Sequence, residues 1–174
     1  MPKRNEDTAA GRAPERCAYH EAGHAVAHYT LGHGTVYGIT IIPNEATGNL
    51  GSTNAQDMDI STPEDVENEV ICLYAGAAAE VRFDPGCRDE ILAGAEGDDE
   101  QAADWLASLG YGPQDEARLR ERAAALVDDR WPQIDALARE LLKQQKLEME
   151  EVEYIIEGDL ESLAYCRRWL TRST

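Results

Sequence analysis

Three neighbouring residues combine two metal-binding side chains with one that can transfer a proton. His20, Glu21 and His24 lie in the stretch AYHEAGHAV. On a helix, residues four apart share one face at about 5–6 Å, so both histidines could direct a ring nitrogen at one ion. Glu21 would be turned about 100° from His20, near enough to reach a water on that ion without binding the metal.

This HExxH spacing predicts a zinc centre that hydrolyses peptide bonds. Zinc held by three protein ligands keeps a water in its fourth position and lowers the pKa of that water to about 7. Glu21 would accept the proton of the water and later pass it to the leaving amine. A set of two histidines and a carboxylate also accepts iron or manganese. Zinc is favoured because the glutamate is placed for hydrolysis.

The third ligand has to come from outside this segment. The long metzincin pattern would place glycine and histidine where this chain has Ala27 and Thr30, so that subclass is excluded. His28 lies about a turn beyond the expected ion and is predicted to be a core residue or a residue that supports a ligand. His33 follows the predicted end of the helix and is expected in a loop.

Two candidates for the third ligand remain. Glu80 lies three residues past Ala77, beside a mostly apolar helix face where a carboxylate needs a partner. The other candidate is an aspartate of the GDDE segment, Asp98 or Asp99. The residue pattern leaves the choice open, because Glu80 could instead form a salt bridge and Asp98 could cap a helix.

The elements that carry these residues predict a mainly α fold with a small β-sheet, of the α+β class, in one domain over 15–174. Thr62 as N-cap and Pro63 as first helical residue announce one helix. Gly23 inside the first helix indicates close packing, since glycine there costs about 1 kcal/mol. Two or three short strands are predicted, from the β-branched run 36–43 and the weaker extended segment 49–53. A Gly- and Asp-rich loop is predicted at 93–100, and a helix is predicted from the end of that loop to 110. The other helices are predicted over 15–31, 63–82, 115–129, 133–143 and 148–157.

Composition excludes several classes of function. The 174 residues carry 34 acidic and 16 basic side chains, and the net charge of −18 repels nucleic acid and anionic membrane surfaces. The longest apolar run, 70–79, is too short to span a membrane. The four cysteines show no zinc-ribbon spacing and are expected to be reduced thiols of a cytoplasmic protein. Residues 1–14 lack the apolar segment of a signal peptide and are expected to form a disordered tail.

Five segments together resemble, in the same order, the peptidase domain of the FtsH family of ATP-dependent zinc proteases. They are AYHEAGHAV, ITIIP, LYAGAAAE, GAEGDD and DDRWPQIDALARELLKQQKLEMEEVEYII. The likeness spans roughly residues 17–157. The resemblance implies one zinc ion per chain, with ligands His20, His24 and Asp98 and with Glu21 as the base. Asp98 matches because the family's aspartate follows a Gly-Ala pair at the interval seen here, and Asp99 is the alternative one residue away.

Two further expectations come from the same resemblance. Glu80 is expected to orient a ligand rather than bind zinc directly. The extended segment 49–53 would be a strand edge beside the zinc cleft, where main-chain hydrogen bonds could hold an unfolded substrate. Family members assemble as hexameric rings, so a homo-oligomer is one expected partner.

The chain differs from full-length members of that family. They carry membrane spans and an ATPase module, whereas no GxxxxGK[ST] phosphate-binding motif occurs in this sequence. We therefore expect a soluble, ATP-independent zinc endopeptidase acting on flexible or unfolded polypeptides, or one that uses the unfolding work of a separate ATPase. A signalling peptidase that cuts one dedicated partner is an alternative. A catalytically silent, zinc-stabilised interaction module is another, although the intact Glu21 argues against it.

Overall fold

The computed structural model describes residues 13–32, 34–44, 46, 50–55 and 60–170, without the side chains of 169 and 170. Its strands are β1 (Val36–Thr40), β2 (Ser52–Ala55) and β3 (Lys146–Glu148). Its helices are α1 (Ala13–Leu31), α2 (Pro63–Phe83), α3 (Arg88–Gly94), α4 (Glu96–Ser108), α5 (Pro113–Asp129), α6 (Trp131–Gln144), α7 (Met149–Glu157) and α8 (Leu160–Leu170). The predicted mainly α fold with a small sheet is confirmed.

Some predictions fall on residues outside the described ranges. The loop position of His33, the start of the extended segment at 49 and most of the predicted tail belong to this group. Helix α1 begins at Ala13, two residues before its predicted start, so the last two positions of the predicted tail are helical. Among the described residues, no helix combines the length and the hydropathy needed to cross a membrane.

The predicted start of α2 is confirmed in atomic detail. The Thr62 side chain accepts a hydrogen bond from the Asp65 amide at 3.1 Å, and the Asp65 carboxylate accepts one from the Thr62 amide at 2.8 Å. With Pro63 as the first helical residue, this reciprocal pair satisfies amides that a helix start leaves unpaired. Helix α2 is thereby fixed at its N-terminus and runs through the centre of the fold.

Helices α1 and α2 cross in direct contact, and a glycine makes the contact possible. A Cβ atom at Gly23 would lie 2.5 Å from the carbonyl oxygen of Ala75 and 2.8 Å from the Cβ of Ala79. The close packing expected of Gly23 is therefore present. Around it, the side of α1 facing the core is built of small residues with no exposed surface, such as Ala22 and Ala25. Small side chains on both helices allow the backbones to approach.

The sheet has the order β2-β1-β3, with both pairs antiparallel. In the middle strand, Ile39 is buried and pairs with Thr53 of β2 on one side and Leu147 of β3 on the other. Strand β1 ends at Thr40 rather than near residue 43. β2 is an edge strand, and its inner side lies against α1.

Three elements differ from the sequence prediction. The predicted loop at 93–100 is mostly helical, because α3 extends to Gly94 and α4 begins at Glu96. Acidic residues in the first turn of α4 favour a helix start there, since they complement the helix dipole. Asp98 lies in that first turn and is not the N-cap, which is Ala95. Strand β3 and helix α8 were not predicted.

Candidate metal centre

Helices α1 and α4 bring three predicted ligands together. Nε2 of His20 lies 3.0 Å from Nε2 of His24 and 3.1 Å from Oδ2 of Asp98. Nε2 of His24 lies 3.4 Å from the same carboxylate oxygen. The three side chains are mostly buried. This arrangement forms a compact triangle of possible ligand atoms.

Contacts on the far side of each ring determine what the inner nitrogens offer. Nδ1 of His24 donates to the carbonyl oxygen of Cys72 at 2.8 Å, and a carbonyl can only accept. Nδ1 of His20 donates to the Glu80 carboxylate at 3.2 Å. With both Nδ1 atoms protonated, each neutral ring directs the lone pair of its Nε2 inward. These two lone pairs meet those of the Asp98 oxygen, so the triangle requires a cation.

The size of the triangle fits zinc. Zinc binds histidine nitrogen and carboxylate oxygen at about 2.0–2.2 Å, so two ligand atoms at the tetrahedral angle lie about 3.3–3.6 Å apart. The measured separations of 3.0–3.4 Å fall close to that value. A donor set of two imidazoles and one carboxylate is also a set that zinc prefers when one position stays open.

The local electrostatics favour positive charge at this point. Burial alone would lower the pKa of His20, but hydrogen bonds to Asp98 and Glu80 outweigh it and raise the pKa to about 10. Burial alone would raise the pKa of Asp98, but the two imidazoles hold it well below its usual range. In the metal-free protein, a proton on His20 therefore supplies the missing cation. A metal ion would replace that proton.

Glu21 lies in the same region but outside the triangle, as predicted. It is buried, and its Oε2 accepts a hydrogen bond from the Thr53 hydroxyl at 2.8 Å. A Cβ at Gly51 would lie 2.7 Å from Oε1 of Glu21, so the backbone before β2 lies against the second oxygen. Thr53 of β2 and the backbone just before the strand thus contact the two oxygens of this carboxylate. Thr53 and Gly51 had not been singled out for this role from the sequence.

A cavity of about 1120 Å³ opens beside these residues. The edge strand β2 lines one side, and residues of α1, α2, α3 and α4 line the others. Apolar side chains form part of its wall, among them Leu50, Ile60 and Trp105. A cleft of this size, with an apolar wall and a few polar groups, is typical of a site that binds organic ligands or peptides.

Comparison with known families agrees with this site. The family described as Peptidase family M41 matches residues 9–109, a range that contains all three possible ligands and Glu21. The chain belongs to peptidase family M41. The predicted resemblance to the FtsH peptidase domain is thereby confirmed.

Two relatives of this M41 chain are named as FtsH proteases. It is 33% identical to ATP-dependent zinc metalloprotease FtsH 1 of Symbiobacterium thermophilum, over 90% of this chain and 31% of the relative. It is 25% identical to ATP-dependent zinc metalloprotease FtsH of Thermus thermophilus, over 81% of this chain and 28% of the relative. The chain thus spans less than a third of the length of these curated relatives. Both relatives are named as zinc metalloproteases.

Gly76 is a residue of the candidate metal centre that the sequence interpretation missed. A Cβ there would lie 2.6 Å from Cε1 of His24 and 2.9 Å from Nε2 of His20. Only glycine lets the α2 backbone pass directly beneath both rings. The available signal was a single glycine within the alanine-rich stretch AGAAAE.

The remaining candidates lie near the M41 site without joining the triangle. Glu80 contacts the outer nitrogen of His20, which agrees with the orienting role expected of it. The Asp99 carboxylate accepts a hydrogen bond from Arg120 of α5 at 3.0 Å. His28 is half-buried and lines the cavity. The geometry thus favours Asp98 over Asp99 and Glu80 as the third donor.

Proposed function

We propose that this M41 chain is a zinc-dependent endopeptidase that cleaves flexible or unfolded polypeptides without ATP. One zinc ion per chain would be held by His20, His24 and Asp98, and Glu21 would be the general base. The observation that carries the proposal is the convergence of three lone-pair donors within 3.4 Å, with both outer ring nitrogens already engaged.

The residues of the site divide the chemistry between them. Zinc bound there supplies Lewis-acid activation of a water and of the scissile carbonyl. Glu21 accepts the proton of the attacking water and delivers it to the leaving amine. The Thr53 hydroxyl, 2.8 Å from Oε2 of Glu21, keeps the carboxylate in one orientation. Gly51 closes the opposite side and limits rotation of the carboxylate.

The edge strand β2 suggests how the substrate is held. Among the described residues, β2 pairs with β1 alone, and Ser52, Thr53 and Ala55 line the cavity. An extended peptide could add to this edge through main-chain hydrogen bonds, which depend little on sequence. Thr53 then connects substrate binding with proton transfer, because it lies in β2, where the substrate would bind, and contacts Glu21, the proposed base. Most main-chain groups of a folded protein are already paired within it, which is why flexible or unfolded polypeptides are the proposed substrates.

Two observations support the proposal that ATP is not used by this chain. The sequence given has no GxxxxGK[ST] motif, and its net charge of −18 disfavours phosphate binding. Folded substrates would have to be unfolded by an ATPase before cleavage. Assembly into a homo-oligomer, a partner ATPase and a cytoplasmic location remain predictions.

The test is cleavage of an unfolded protein mixture by the zinc-loaded chain, with the products identified by mass spectrometry. The matched control is Glu21→Gln, which preserves size and removes the base. We expect cuts that vanish in the control and do not change when ATP is added. Equal cleavage by both proteins would contradict the role of Glu21. Cleavage that requires ATP would contradict ATP independence.

A further inference from the structure

One arginine is buried beside the metal centre. Arg16 lies on α1 one turn before His20, and its side chain is only 13% exposed. Nη2 donates to Oε1 of Glu90 on α3 at 2.8 Å, and Nε lies 3.4 Å from Oε1 of Glu80 on α2. Arg16 therefore connects three helices around the cavity.

The contact between Arg16 and Glu80 belongs to a series of contacts that ends at the metal centre. Oε1 of Glu80 faces Arg16, while Oε2 accepts from Nδ1 of His20 at 3.2 Å. Both carboxylate oxygens are thus engaged. Glu80 cannot rotate toward the triangle without losing one of these contacts, and His20 keeps its proton on the outer nitrogen.

The charges around the cavity make this arginine significant. Glu21, Glu80, Glu90 and Asp98 all line the cavity, whereas Arg16 is the one lysine or arginine among the lining residues that the structure describes. Arg16 is thus the only lysine or arginine among these described lining residues that can pair with the outer carboxylate oxygen of Glu80, at 3.4 Å. Without that pair, the carboxylate would be free to turn toward any nearby cation.

Arg16 is also a poor residue for folding at this position. Within the described residues, its Nη1 is buried and makes no hydrogen bond, and its buried Nε has only the 3.4 Å ion pair with Glu80. A buried donor without a hydrogen bond lowers the stability of the folded state. Sites that break a local packing rule in this way are often functional.

We infer that Arg16 is a positioning residue of the metal centre: it fixes Glu80 so that Glu80 holds His20 with Nε2 directed at the metal. This inference rests on the proposed metal site. It adds a residue that acts on the metal through two others, Glu80 and His20, and that touches neither the metal nor the substrate.

The test is a double-mutant cycle read by zinc affinity, measured in competition with a chromogenic chelator. Arg16→Met keeps the length of the side chain and removes its charge, and Glu80→Gln removes the carboxylate. Each single substitution should weaken zinc binding about tenfold, the lower end for residues that support a ligand. Because both act through one contact, the double variant should bind zinc no more weakly than the weaker single variant.

The matched control is Arg118→Met, which removes an arginine paired with Glu67 away from the cavity. Its zinc affinity should equal that of the wild type. If Arg16→Met bound zinc as tightly as this control, the inference would be overturned while the metal site stayed intact. The same holds if the losses of zinc affinity in the two single variants were additive in the double variant. A wild-type chain that binds no zinc would overturn the proposed metal site and the inference with it.

A second variant covers the case in which Arg16→Met fails to fold. Glu90→Gln leaves Arg16 in place and removes the negative charge from its shortest contact, at a side chain that is 58% exposed. We expect a loss of about threefold in zinc affinity, smaller than for a residue that contacts a ligand directly. Unchanged affinity in Glu90→Gln would overturn the inference.

Discussion

Replacing Gly76 with alanine should weaken zinc binding strongly without unfolding the protein. The new Cβ would lie 2.6 Å from Cε1 of His24 and 2.9 Å from Nε2 of His20, whereas ordinary contact begins at 3.4 Å. The rings would have to move by about 0.5–0.8 Å, beyond the tolerance of about 0.2 Å on zinc–ligand distances. The α2 backbone cannot retreat instead, because Gly23 already holds α1 against it.

The expected loss of zinc affinity is about 100-fold, equivalent to about 2.7 kcal/mol. The assay is competition with a chromogenic chelator, beside thermal unfolding of the metal-free protein. Alanine is favoured over glycine inside a helix by about 0.5–1 kcal/mol, which partly offsets the crowding in the metal-free state. Stability without zinc should therefore change little.

The matched control is Gly97→Ala, also a helical glycine, where an added Cβ meets nothing within 4 Å. Its zinc affinity should match that of the wild type. If Gly76→Ala bound zinc as tightly as this control, the close approach of α2 to both imidazoles would be wrong.

Three further predictions follow from contacts outside the triangle. Gly23→Ala should destabilise the protein by about 1–3 kcal/mol in urea unfolding, because its Cβ would lie 2.5 Å from the Ala75 carbonyl oxygen; unchanged stability would contradict the described crossing. Thr53→Val should leave zinc affinity unchanged and lower kcat about tenfold, since general-base catalysis depends on the orientation of the base. Thr53→Ser keeps the hydroxyl and should retain activity. Equal kcat in both variants would contradict the positioning of Glu21 by Thr53. A hydrogen bond from Arg118 outweighs burial and lowers the pKa of Glu67 from 4.5 to about 2. The stability that the ionised Glu67 contributes is therefore complete above pH 4.5 and is lost as the pH falls toward 2. Glu67→Gln should flatten acid unfolding in that window, and an unchanged pH profile would contradict it.

Local sequence signals predicted the parts of the fold that depend on neighbouring residues. The capping box at Thr62 and the start of α2 follow from residues within one turn. The helical spacing of His20 and His24 likewise needs only local geometry. The glycine in α1 indicated close packing, although its partner helix could not be identified from the pattern.

The rest depended on contacts between distant segments. Strand β3 has three residues and exists because it pairs with β1, more than a hundred positions earlier in the chain. The choice between Asp98 and Asp99 depends on how α4 is rotated, and the Arg120 contact to Asp99 from α5 belongs to that rotation. The role of Gly76 requires the register of the α1–α2 crossing. A pattern along one segment contains none of this information.

The sequence contains a local signal for the end of α7 and the start of α8 that was not used in the prediction. Helix α8 begins after Gly158, which has a left-handed backbone with φ 75° and ends α7. The Asp159 side chain then accepts a hydrogen bond from the Ser162 amide at 3.0 Å, an N-cap contact. Glycine followed by aspartate is a recognisable stop and start for two helices.

The most direct test of the account is anomalous diffraction at the zinc edge from crystals grown with zinc. The account predicts one strong peak per chain, bonded to Nε2 of His20, Nε2 of His24 and an oxygen of Asp98. A peak bonded to Glu80 or to Asp99 instead would contradict the proposed ligand set, and so would a peak elsewhere on the chain with none at this triangle.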